Sequence, residues 1–68
     1  MNYREQIGQR IAQLRKEKGL TQEQLSELTG LDRTNIAKIE NGRYNVSIDI
    51  LNKVCVSLGA KIRIEAAD

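Results

Sequence analysis

Between Arg33 and Arg43 the sequence RTNIAKIENGR carries three cations, two asparagines and a threonine. Wound as a helix, it sets Ile36 and Ile39 on one side and Arg33, Thr34, Ala37, Lys38 and Asn41 on the other. That outer face offers positive charge and hydrogen-bond donors, and its only apolar member is a small alanine. It suits an anionic, polar surface. Other chemistry is poorly provided for. The chain has no histidine and a single cysteine, Cys55, so no metal-ligand set can be assembled. It has no glycine-rich phosphate loop and no evident acid–base pair, because the carboxylates fall at helix caps and outer faces. An enzyme, a metal and a cofactor are therefore not expected. Cations on a helix are ordinarily just a solvated face, so the elements that hold this stretch must decide its meaning.

The bulk properties set few further bounds. With 68 residues the chain is one domain at most. A core this small is thin, and self-association is one way to supplement it. A lone cysteine allows no disulfide within the chain and fits a reducing compartment. The opening MNYREQIGQR is charged and does not read as a signal peptide. No apolar run is long enough for a membrane span. A soluble, cytoplasmic protein with no membrane association is expected. The net charge of +2, from eleven Lys/Arg against nine Asp/Glu, is weak evidence for an anionic partner.

The punctuation of the chain is explicit. There is no proline, and Gly19, Gly30, Gly42 and Gly59 each follow a helical pattern where a left-handed residue is wanted. Thr21 with Gln24 reads as a capping box, and Asp32 and Ser47 read as the next two N-caps. Each cap lies between apolar residues at hydrophobic-staple spacing: Leu20 with Leu25, Leu31 with Ile36, Val46 with Leu51. The expected helices are Tyr3–Lys18, Gln22–Thr29, Arg33–Asn41 and Ile48–Leu58. Their expected apolar faces are Ile7, Ile11 and Leu14; Leu25 and Leu28; Ile36 and Ile39; and Leu51, Val54, Cys55 and Leu58. Gly8 falls inside the first pattern, where glycine costs about 1 kcal/mol against alanine, and close helix packing would explain it. Lys16 and Lys18 suit the helix dipole at the end of the first helix.

After Gly59 the period changes. AKIRIEA alternates, with Ile62 and Ile64 on one side and Lys61, Arg63 and Glu65 on the other, which predicts a strand over about 60–66. Nothing else in the chain reads as a strand, so its partner must come from outside.

The second and third helices are joined by the short turn GLD, which makes residues 21–42 a helix-turn-helix unit. In such a unit the second helix can enter the major groove of double-stranded DNA with its N-terminal residues at base edges. Here LRKEKGLTQEQLSELTGLDRTNIAKIENGR resembles the Cro/repressor-type, or XRE, helix-turn-helix family of bacterial and phage DNA-binding proteins. The resemblance rests on GLTQ, L..LTG and N..KIENG and covers roughly Ile7 to Leu58. The loop RYNVS departs from it, since many relatives carry a proline there. The implied fold is a mainly α, compact four-helix domain, here with a short C-terminal strand that can pair across a dimer. The implied function is a sequence-specific transcriptional regulator, a repressor reading an inverted-repeat operator.

The resemblance also implies roles for residues. Arg33, Thr34, Lys38 and Asn35 would contact bases, Arg33 by bidentate reading of a guanine. Gln22 would bind a phosphate at a helix N-terminus, where free N–H groups favour an anion. Asn41, Gly42 and Arg43 would contact the DNA backbone. Arg15 and Glu40 would form a partly buried structural ion pair. Asp32 can accept from a cytosine, although capping is its simpler role. Tyr44 can reach a phosphate or pack over the turn.

A homodimer is expected, because one half-site discriminates poorly and two-fold pairing reads two of them. Ile62 and Ile64 would join the subunits through paired strands. The tail also resembles that of HipB-like antitoxins, which repress their own operon and bind a toxin. The alternative reading is therefore an antitoxin whose main task is neutralising a toxin protein.

Overall fold

The computed structural model describes residues 2–67, which contain four helices: α1 (Tyr3–Glu17), α2 (Gln22–Thr29), α3 (Arg33–Glu40) and α4 (Ile48–Ser57). The expected starts hold. Lys18, Asn41 and Leu58 are C-caps rather than last helical residues, so three of the helices end one residue early. The four glycines that follow helical patterns all take positive φ, between 69° and 75°.

The caps divide into those that bond and one that does not. Thr21 Oγ1 accepts from the Gln24 N–H at 3.0 Å, and the Gln24 side chain accepts from the Thr21 N–H at 2.8 Å. Ser47 Oγ accepts from the Ile50 N–H at 3.2 Å. Asn2, unmarked in the sequence reading, caps α1 by accepting from the Glu5 N–H at 2.9 Å. Asp32 has the extended N-cap backbone, but its side chain makes no cap bond. Position alone does not make a cap; the side chain must also turn back over the helix.

Ile11, Leu25, Ile36, Ile39, Val54 and Leu58 form the core. Leu20, Leu31, Val46 and Leu51, the remaining members of the staples, pack against it, as does Tyr44. The helix α3 sits against α1 and α2, and α2 also packs on α4. Gly8 is buried where α1 crosses the end of α3, and a Cβ there would lie 2.3 Å from the Ile39 carbonyl oxygen. Close packing is thus the reason for a glycine inside a helix.

Three expectations about burial need correcting. Leu28 is 59% exposed, because Leu25 and Thr29 form the buried stripe of α2 and Leu28 falls beside it. Ile7 is 39% exposed at the edge of the face on which Gly8, Ile11 and Arg15 are buried. Cys55 is half-buried at the margin of the core, and burial pushes its thiol pKa up.

The C-terminal strand is not formed. Residues 60–67 have no regular structure, because the described residues contain no second strand for them to pair with. The two isoleucines expected to share a face differ in burial: Ile62 is half-buried and Ile64 is 91% exposed.

Candidate nucleic-acid interface

The apolar pair Ile36 and Ile39, together with Glu40, turns α3 inward. Arg33, Thr34, Lys38 and Asn41 are consequently exposed, while Asn35 and Ala37 are half-buried. Among the described residues Arg33, Lys38 and Arg43 enter no ion pair; the two salt bridges are Arg15–Glu40 and Arg63–Glu65. Three cations along one helix and its following loop are therefore uncompensated at short range.

The start of α2 lies beside this face. Gln22, Thr21 and Arg33 line one shallow depression, and Gln22 and Asn41 line a neighbouring cleft with Gln13, Lys16 and Glu17. The N–H of Gln24 is taken by its cap and that of Leu25 by Thr21 O. The first N–H groups of α2 point outward from the helix start, where the dipole favours an anion.

Beneath this edge is a polar network. Arg15 Nε and Nη2 donate to the two oxygens of Glu40 at 2.7 and 3.0 Å. Arg15 Nη1 donates to Leu20 O at 2.8 Å, and Gln22 Nε2 donates to Glu40 Oε1 at 3.1 Å. The Glu40 hydrogen bond raises the guanidinium pKa above its ordinary value, against the opposing effect of burial. The bidentate pair is charge-assisted and geometrically specific. It connects the end of α1, the turn before α2 and the end of α3. It also uses one amide hydrogen of Gln22 and leaves the other available.

The first three residues after α3 have their N–H groups committed. The N–H groups of Asn41, Gly42 and Arg43 donate to Ala37 O, Ile39 O and Lys38 O. Of these three residues, the donors left for a ligand are the Asn41 and Arg43 side chains. Gly42 contributes conformation: its φ is +72°, and a Cβ would lie 2.9 Å from Glu5 Cα. Tyr44 belongs to the packing over this turn.

Two residues escaped the sequence reading. Thr29 is 1% exposed; its Oγ1 donates to Leu25 O at 2.9 Å and accepts from the Leu31 N–H at 3.3 Å. Ser26 Oγ donates to Leu31 O. Together they tie down the turn between α2 and α3, and hence the angle of α3. The available signal was Thr29 itself, a polar residue four positions after Leu25 on the buried stripe.

A family model described as a helix-turn-helix domain matches residues 8–62. The chain belongs to this family. It is 46% identical over 56 residues to the immunity repressor protein of Bacillus phage phi105, a match that covers 82% of this chain and 39% of the repressor. The chain thus spans less than half the length of that relative. Among solved structures it resembles the restriction-modification controller protein C.AhdI from Aeromonas hydrophila. The TM-score is 0.81 at 40% identity, over 84% of this chain and 86% of that one. It also resembles SinR, a master regulator for biofilm formation, in complex with DNA. That TM-score is 0.74 at 43% identity, over 81% of this chain and 89% of the chain in that structure.

Proposed function

We propose that this protein is a sequence-specific DNA-binding transcriptional regulator, a cytoplasmic repressor that occupies its operator as a homodimer and has no enzymatic activity. The observation that carries this reading is the outer face of α3. Arg33, Thr34 and Lys38 are exposed, the cations have no acidic partner among the described residues, and the face lies beside the N-terminus of α2. Kinship with a phage immunity repressor and with a regulator solved on DNA supports it.

In this reading α3 enters the major groove. Arg33 reads a guanine with its two-pronged guanidinium, Lys38 reads a base one turn later, and Thr34 meets a thymine methyl or a phosphate. Half-buried Asn35 has the poorest access of the four. Gln22, Asn41 and Arg43 hold the phosphate backbone and set the register. A dimer joined through Ile62 and Ile64 would present two such helices about one helical turn, roughly 34 Å, apart. The antitoxin alternative is less favoured, because the relatives and solved structures reported above are a repressor and regulators.

Selection from a random duplex library with purified protein tests the proposal. An enriched inverted repeat with half-sites about one turn apart is expected. Arg33→Ala should relax preference at one position of each half-site. Arg43→Ala should weaken all sequences alike and lower the salt slope by about 1.8, because each dimer loses two phosphate contacts. A folded protein that enriches no sequence would overturn the reading.

A further inference from the structure

The C-terminal tail carries a feature that the helices do not explain. Ile62 lines an open apolar groove with Ile7, Ile11, Leu14, Leu51 and Cys55. Two residues on, Ile64 is the most exposed large apolar side chain among the described residues, at 91%. Lys61, Arg63 and Glu65 occupy the alternate positions, and Arg63 Nε donates to Glu65 Oε1 at 3.1 Å. An isoleucine left in water next to an unfilled apolar groove indicates a surface that awaits cover.

We propose that residues 60–66 pair antiparallel with the same residues of a second copy, in the register that sets Arg63 opposite the partner's Arg63. The proposal rests on the dimeric reading given above and specifies how its subunits join.

The register follows from pairing arithmetic. Antiparallel strands related by a two-fold keep isoleucines opposite apolar residues only when the axis passes beside a residue, which makes 62, 63 and 64 the central choices. Centring on Ile62 places Lys61 opposite the partner's Arg63 twice, and like charges directly opposite are unfavourable. Centring on Ile64 pairs Arg63 with the partner's Glu65 but leaves Ile62 facing only the partner's Ala66. Centring on Arg63 places Ile62 opposite the partner's Ile64 twice and Lys61 opposite the partner's Glu65 twice. Its one unfavourable contact is between the two Arg63 side chains. Those side chains are 75% exposed, and each is already bonded to Glu65 of its own chain, so solvent and that carboxylate weaken the repulsion. The apolar pairs gain more, because opposite residues share a face of the ribbon. Ile62 faces the groove, so the partner's Ile64 faces it too and fills what Ile62 alone leaves open.

Single cysteines placed at 62, 63 and 64 in a Cys55→Ala chain test the register under mild oxidation. Directly opposite residues lie within disulfide reach, whereas residues displaced by two positions are about 8 Å apart and out of it. Arg63→Cys should form covalent dimer roughly ten times faster than Ile62→Cys or Ile64→Cys. A second test keeps Cys55. Lys61→Glu and Glu65→Lys should each weaken dimerisation about tenfold, and the two together should restore it to within about twofold. Fastest crosslinking through Ile64→Cys, without charge-swap rescue, would overturn the register. A dimer that crosslinks at none of the three positions and shows no rescue would overturn tail pairing while leaving the dimer intact. A native chain that sediments as a monomer at every concentration, free and on DNA, would remove the dimeric reading itself.

Discussion

Replacing Gly8 by alanine sets two effects of opposite sign against each other. Helix propensity alone predicts stabilisation by about 1 kcal/mol, since α1 continues on both sides of Gly8. The packing predicts the reverse. The added Cβ would lie 2.3 Å from Ile39 O and 2.6 Å from Glu40 O, both backbone atoms at the end of α3. An ordinary carbon–oxygen contact is about 3.3 Å, so α1 must retreat by about 1 Å. No rotamer can absorb this, because neither the methyl nor the carbonyls can turn away. Overpacking of this kind costs about 1–3 kcal/mol. The retreat also strains the bidentate Arg15–Glu40 pair, which joins the same two helices two turns further along α1. Set against the propensity gain of about 1 kcal/mol, the overpacking leaves an expected net loss of about 1 kcal/mol. For a domain of this size that lowers Tm by roughly 4–8 °C. Urea and thermal denaturation followed by circular dichroism would measure it, with a helical Gln6→Ala variant as a control on an exposed position. A Gly8→Ala protein more stable than the native one would refute the reasoning, because propensity would then have outweighed a backbone contact.

Other perturbations follow from the same structure. Glu40→Ala leaves the Arg15 guanidinium buried with only Leu20 O as partner, and should cost about 3–5 kcal/mol in urea titration. Thr21→Ala removes a bonded cap and should cost about 1 kcal/mol, whereas Asp32→Ala, whose side chain caps nothing, should cost less than half of that in the same assay. The Cys55 thiol should react with an aromatic disulfide more slowly in the native state than in urea, because burial raises its pKa. The linkage has a definite sign. A raised native pKa favours the folded state fully below the ordinary thiol value of about 8.5, and that contribution is lost as pH rises through the native pKa. Cys55→Ala should therefore flatten the decline of stability in alkaline solution.

The sequence by itself determined the four helices, their starts and the residues that turn away from the core. These are local matters. A cap, a staple and a glycine with positive φ each act within a few residues, so Thr21, Ser47 and Gly30 announce themselves without any knowledge of the fold. Periodicity likewise assigned Ile36 and Ile39 to the core, and by elimination left Arg33, Thr34 and Lys38 outside it. Only the tertiary structure decided what depends on a neighbour distant in the chain. It buried Thr29 and exposed Leu28, because the line of contact with α3 and α4 falls a fraction of a turn from where hydrophobicity alone would draw it. It gave Gly8 its reason in the carbonyls of α3, more than thirty residues away. It tied Gln22 to Glu40 and closed the N–H groups of the loop at Gly42, which separates the donors available to a ligand from those already committed. It also left the tail without a ladder. Alternation is a property of one strand, whereas a sheet is a property of two, and the described residues contain no second strand.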